Sequence, residues 1–287
     1  MIGIMCAPEA LSNTWASMRS SENSFLPSFP ENTYLVDENR NLVYAPIPKV
    51  ACTSLKIWFL LTAPGVDIRP DPKDWKVNAW LAGEGNRFLL KDTRVLDGRM
   101  FRFAFVRNPW SRLVSAYLNR IVGRGIEYRQ MMKRFTRGRW YRVDKRAKYY
   151  FRKWTQGVGW PESAEPTFRE FVHREVVDKS IGGMDPHWYP QHLFINSFEP
   201  DFVGKFERLE DDVDRLCLQL GIPNSLPHLN RSAYRSEGTA DCYADCAQSA
   251  LRSMDELPRY RQFYTPDLID MVGDVYRRDI QRFGYDF

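Results

Sequence analysis

The stretch Tyr44–Phe59, YAPIPKVACTSLKIWF, limits the choice of fold more than any other. Its first half is an apolar run that reads as a buried strand. Pro46 and Pro48 cannot donate to a ladder, so the strand stops just where Lys49 presents a cation. Small residues Ala51, Cys52, Thr53 and Ser54 turn the chain, and Leu55, Trp58 and Phe59 recur at helical spacing. A strand that ends in a lysine, followed by two hydroxyls and the unpaired N–H groups of a helix start, suits an anion such as phosphate or sulfate. The Walker pattern GxxxxGK(S/T) sets two glycines before its lysine. Here the lysine opens the turn and no glycine is present, which argues against a nucleoside triphosphatase. The alternative is an ordinary corner with a solvated Lys49.

A second corner of the same kind lies at Phe101–Asn119, FRFAFVRNPWSRLVSAYLN. An apolar, aromatic strand ends in Arg107, Asn108 is suited to cap a helix, and Pro109 to open it. Ser111, Ser115 and Asn119 share one face at i, i+4 spacing. Arg107 and Ser115 can both reach one ligand, and a guanidinium with a hydroxyl suits a phosphate monoester. Two cradles at two strand-to-helix junctions call for a ligand with two separated anionic groups.

These residues carry a family resemblance. PKVACTSLK resembles the 5′-phosphosulfate loop, and RNPWSRLVSAY the 3′-phosphate motif, of sulfotransferases that use 3′-phosphoadenosine 5′-phosphosulfate (PAPS). Among these the chain is similar to the carbohydrate sulfotransferases of the HNK-1 and chondroitin/dermatan 4-O type, whose loop reads close to PKVGCTNWK. The likeness continues through DPHWYPQ (Asp185 to Gln191) and DFVGKFERLEDD (Asp201 to Asp212), and so runs in order from Tyr44 to about Leu220. It departs at Ala51, where glycine is usual, and at an N-terminus without a membrane anchor. The resemblance implies a P-loop-like α/β fold, a central parallel sheet flanked by helices with the nucleotide at the carboxyl ends of the strands. It implies that Lys49, Val50, Ala51, Cys52, Thr53 and Ser54 hold the 5′ end, and that Arg107 and Ser115 grip the 3′-phosphate. Arg231, in the loop-like IPNSLPHLNRSAYRSEG, resembles the basic residue of a late loop over that phosphate.

The implied reaction is sulfonyl transfer from PAPS to a carbohydrate hydroxyl, with release of 3′-phosphoadenosine 5′-phosphate (PAP). Lys49 is then the catalytic cation, and no metal is needed. For the base that removes the acceptor proton His187 leads, because it lies in an irregular loop after Gly182, Gly183 and Pro186 and imidazole titrates near neutrality; His192, only five residues on, and nearby carboxylates are the alternatives. TFREFVHREVVDK, with Thr167 and Glu170 at capping-box spacing, reads as an amphipathic helix, and His173 within it as structural. After a strand that ends near Phe206, a helix carries Glu207, Glu210, Asp211 and Asp212 in its first turn, as the macrodipole favours. The chain closes in one helix that Thr265 caps and Pro266 opens, with Leu268, Val272, Val275 and Ile280 as its apolar face.

The chain has 287 residues, 44% of them hydrophobic, enough for one sizeable α/β domain. We expect a tail over residues 1–32 and a single domain over 33–287, with a basic, aromatic-rich helical insertion at about 124–160. Between Arg124 and Lys153 twelve basic residues face only Glu127 and Asp144, a local net charge of +10 in a chain whose formal total is +5. Trp140, Tyr141, Tyr149, Tyr150 and Phe151 are interleaved with them. Such a block attracts a polyanion and stacks on flat rings or sugar faces, and nucleic acid fits it as well as an acidic glycan. A helix pair with a solvated basic face is the plainer account. With the resemblance, Arg137, Arg139, Arg142 and His192 become acceptor contacts, the acceptor a glycan, and no nucleic acid is expected. A small alcohol, phenol or natural product as acceptor would keep every motif, and a non-catalytic polyanion-binding module would leave both cradles unused.

Five cysteines without a CxxC pair argue against a disulfide framework and a zinc site. Cys52 is no phosphatase nucleophile, because the position six residues on is Trp58. With no leader and no apolar run of membrane-spanning length, the expectation is a cytoplasmic, bacterial protein, or a Golgi one whose anchor has been removed.

Overall fold

The computed structural model describes residues 29–66, 74–122, 165–227 and 241–287. A hairpin pairs β1 (Leu35–Asp37) antiparallel with β2 (Leu42–Ala45), and Asp37 closes the turn by accepting from the Asn39 and Arg40 N–H groups. Helix α1 (Cys52–Leu61) follows, and α2 (Asp74–Ala82) lies further on. Strand β3 (Phe101–Val106) then pairs parallel with β2, and β4 (Phe202–Lys205) parallel with β3. The sheet order is β1-β2-β3-β4. The expected parallel sheet is therefore present over three strands, with an antiparallel edge strand added.

Strand β2 stops at Ala45, as its two following prolines require. Residues 103–106 of β3 are all buried, so both faces of this central strand are covered. On one face Tyr44 stacks on Phe103 at 5.0 Å, and Phe59 and Trp58 of α1 close over the same ring at 6.2 and 6.0 Å. One apolar cluster joins the sheet, α1 and helix α5 (Leu209–Leu220), and a second gathers about α3 (Pro109–Arg120).

That second cluster includes α4 (Phe168–Phe171), opened by the capping box of Thr167 and Glu170. The amphipathic helix expected beyond it widens into a π-helical turn at Val172–Val177. Helix α6 (Gln248–Arg252) and the C-terminal pair α7 (Pro266–Val275) and α8 (Arg277–Phe283) complete the chain. The single terminal helix expected from the apolar period is broken at Tyr276, whose hydroxyl donates to the Trp188 carbonyl at 2.5 Å. Thr265 occupies the N-cap position of α7 without a side-chain cap bond, and its hydroxyl accepts from Arg169 at 3.3 Å.

Candidate active site

Because β2 and β3 are parallel neighbours, the loops leaving Ala45 and Val106 emerge at the same edge of the sheet. The two cradles inferred from sequence thus lie side by side. Arg107 Nη1 donates to the Lys49 carbonyl at 3.1 Å, Nε donates to Ser111 Oγ at 3.0 Å, and the guanidinium lies 4.2 Å from the Phe206 ring centroid. The Arg107 main chain is clamped in turn by the wholly buried Gln191 amide, which accepts from the Arg107 N–H at 2.9 Å and donates to its carbonyl at 2.7 Å.

In the first cradle Lys49 has φ 69° and Ala51 φ 47°, both in the left-handed region. Ala51 is the N-cap of α1, so the position where the resembled family uses glycine is one where glycine would be at ease. Alanine has no side-chain acceptor for the first N–H groups of α1, which therefore begins without a side-chain cap. Val50, Thr53 and Ser54 are buried and Cys52 is half-buried at this turn. In the second cradle Asn108 caps α3 by accepting from Ser111 N, and Pro109 takes the first helical position. Glu207 accepts from Asn108 N at 2.8 Å, so its carboxylate supports this helix start directly. Ser115 is partly exposed, one turn beyond Ser111.

The loop DPHWYPQ supplies a third component. Asp185 Oδ1 lies 2.6 Å from His187 Nδ1 and also accepts from the His187 backbone N–H, while Arg120 approaches Oδ2 at 3.6 Å. An ionised Asp185 fixes the ring proton on Nδ1 and leaves Nε2 as the acceptor. Burial, then the charge of Arg120, lowers the His187 pKa to about 4; Asp185 opposes this and Lys49 adds to it. Burial raises the Asp185 pKa, but the hydrogen bond and charge of His187, with Arg120, outweigh it and bring it down to about 2. The imidazole is therefore neutral at physiological pH, and about a quarter of its side chain stays exposed (24%).

His192 is placed differently. Its Nδ1 lies 2.6 Å from Asp279 of α8, and its side chain is only 9% exposed. Asp279 also accepts from the Gln191 and His192 N–H groups, so His192 anchors the loop to the C-terminal helix. Arg137, Arg139, Arg142 and Arg231 lie outside the described residues.

Sequence reasoning missed Asp185, Gln191 and Arg112. The first two stand in the recognised DPHWYPQ motif, two residues before the histidine and at the motif's end. Arg112 reads in the sequence as one more solvated helical cation, yet it is 2% exposed.

A parallel α/β sheet with cation-bearing strand-to-helix turns side by side at its carboxyl edge is the architecture of a P-loop-like nucleotide-binding domain. The model of the sulfotransferase family matches residues 32–286, and the chain belongs to that family. Carbohydrate sulfotransferase 14 of Homo sapiens is 29% identical over 237 residues, covering 79% of this chain and 57% of the relative. Carbohydrate sulfotransferase 11 of Danio rerio is 28% identical over 206 residues (67% and 54%), and carbohydrate sulfotransferase 8 of Homo sapiens 26% over 274 residues (93% and 58%). The chain thus spans little more than half the length of these curated relatives. No solved structure matches it. The relatives are vertebrate proteins, which overturns the expectation of a bacterial, cytoplasmic enzyme. Among the described residues no helix is long and apolar enough to cross a membrane.

Proposed function

We propose that the chain transfers the sulfonyl group of PAPS to a hydroxyl of a carbohydrate and releases PAP. The observation that supports this reading is the contact of the two cradles through Arg107 and the Lys49 carbonyl, which brings both strand-to-helix turns together at one sheet edge; the histidine beside them is backed by a carboxylate. The donor set fits the nucleotide. The side-chain-uncapped start of α1 and the Val50–Ser54 backbone face the 5′ end, Arg107 and Ser115 the 3′-phosphate, and Arg231 adds a cation in the late loop. PAPS supplies an activated sulfonyl group on a phosphate leaving group. Lys49 stabilises the charge that grows on that phosphate, and His187 Nε2 takes the proton from the attacking hydroxyl. Such a transfer depends mainly on in-line positioning and charge stabilisation, which lysine and arginine provide here.

The carbohydrate acceptor is supported by the names of the relatives and by the basic, aromatic block at residues 124–153. Reversing the charges of Arg137, Arg139 and Arg142 is expected to raise the KM of an acidic glycan while leaving PAP affinity nearly unchanged. For the unaltered chain, acceptor affinity should fall steeply as salt brings the Debye length below ~10 Å. An acceptor series with acidic glycans, neutral sugars and small alcohols tests both. If neither the KM nor its salt dependence responds, the acceptor is small or uncharged; if PAP affinity falls instead, the block serves the nucleotide.

The His187 assignment predicts a displaced pH profile. Protonation removes the base, and a pKa lowered to about 4 postpones protonation, so kcat/KM should hold from neutrality down to about pH 5 and fall with a midpoint near 4. The His187→Gln variant should lose roughly two or more orders of magnitude of activity together with that acidic limb. A midpoint near the ordinary ~6.5, or the same limb in the variant, removes His187 as the base.

A further inference from the structure

We propose that Arg112 is a positioning residue that fixes Lys49 and His187 relative to one another, an inference that rests on the functional reading above. Arg112 lies on α3 and is enclosed by protein, and its fork is directed at backbone carbonyls of two distant loops. Nε donates to the Pro48 carbonyl at 2.9 Å, Nη1 to the Tyr189 carbonyl at 2.8 Å, and Nη2 makes a longer contact of 3.4 Å with the Pro186 carbonyl. The first acceptor immediately precedes Lys49. The other two flank the His187–Trp188 dipeptide.

The geometry around Lys49 gives these bonds their effect. The Pro48 carbonyl belongs to the peptide plane before the Lys49 Cα, and the Lys49 carbonyl to the plane after it. Arg112 holds the first and Arg107 the second, so one guanidinium on each plane fixes both backbone torsions of Lys49, which has the left-handed φ of 69°. A lysine in that conformation depends on its surroundings to keep it there. The same Arg112 fork holds the loop on which Asp185 orients His187, so the base of the Lys49 side chain and the histidine loop are tied to one rigid group.

The chemistry of the contact supports a positioning role over simple packing. Burial lowers the Arg112 pKa, and among the described residues it forms no ion pair with a carboxylate. Asp279 and Tyr276 favour the charge from a distance, but among the described residues the hydrogen bonds of Arg112 all go to carbonyls, and for filling space alone an apolar residue of similar size serves well. A planar fork of five donors is, however, well suited to holding three carbonyls from two loops in a fixed arrangement.

The test is a double-mutant cycle on the full chain with PAPS and an acidic glycan, with direct titration of PAP alongside. Arg112→Gln is expected to lower kcat by roughly 30-fold or more, since misplacing a reacting group by about 1 Å costs about that much or more. PAP affinity should stay within about five-fold, and Arg112→Lys should recover part of the loss. In a Lys49→Ala background the same Arg112→Gln change should cost several-fold less than in the unaltered chain, because one of the two groups it positions is gone. Equal losses in both backgrounds overturn the inference. Failure of both Arg112 variants to bind PAP also overturns it, by assigning the residue to the fold alone. Absence of transfer by the unaltered chain brings down the functional reading and the inference together; transfer with additive losses brings down the inference alone.

Discussion

Lys49→Ala is expected to lower kcat by roughly two or more orders of magnitude while PAP still binds. Lys49 opens the first cradle, and in the proposed reaction its ammonium meets the charge that grows on the departing phosphate, against which a cation counts for more than against the ground state. The backbone around it is held independently of the side chain, through the Pro48 and Lys49 carbonyls, so the alanine variant should keep the loop. Single-turnover rates with saturating PAPS separate this from a binding defect. Near-normal turnover removes Lys49 from the mechanism, and a loss of PAP affinity matching the loss in rate makes it a binding residue only.

Arg107→Ala should cost ~2–4 kcal/mol of PAP binding, a loss of about 30-fold or more at ~1.4 kcal/mol per factor of ten. The guanidinium also supports the Lys49 carbonyl and covers Phe206, so a general weakening of the cradle accompanies the loss of the ligand contact. Adenosine 5′-phosphate, which differs from PAP only in lacking the 3′-phosphate, distinguishes the two effects. If Arg107 grips that phosphate, the variant binds both nucleotides about equally. If the preference for PAP survives, Arg107 only supports the loop and the 3′-phosphate is held elsewhere.

What could be read in the sequence was local. The prolines ending β2, the Asn108 cap with Pro109, the capping box at Thr167 and the acidic first turn of α5 are each decided within a few residues, and the structure has them. The site followed because its cations stand at strand ends, where a periodic apolar run stops and a helix begins. Features made by partners distant along the chain were not legible. Arg112 meets its acceptors 64, 74 and 77 residues away, and a cation at a helical position looks the same in sequence whether it faces water or carbonyls. His192 stood only five residues from the leading candidate His187, and its bond to Asp279, 87 residues away, could not be read from either neighbourhood. The break at Tyr276 is likewise a tertiary effect, in which a hydroxyl bonded to Trp188 coincides with the end of an apolar period that by itself runs on.

The central claim is that the paired cradles deliver a sulfonyl group to a carbohydrate hydroxyl. Its most direct measurement is incubation of the full chain with PAPS and an acidic glycan, with PAP and sulfated carbohydrate quantified in the same samples. The account predicts that PAP and sulfated glycan appear in equal amounts, and that both depend on Lys49. PAP released without a sulfated product, or sulfation that persists unchanged in the Lys49→Ala variant, contradicts it.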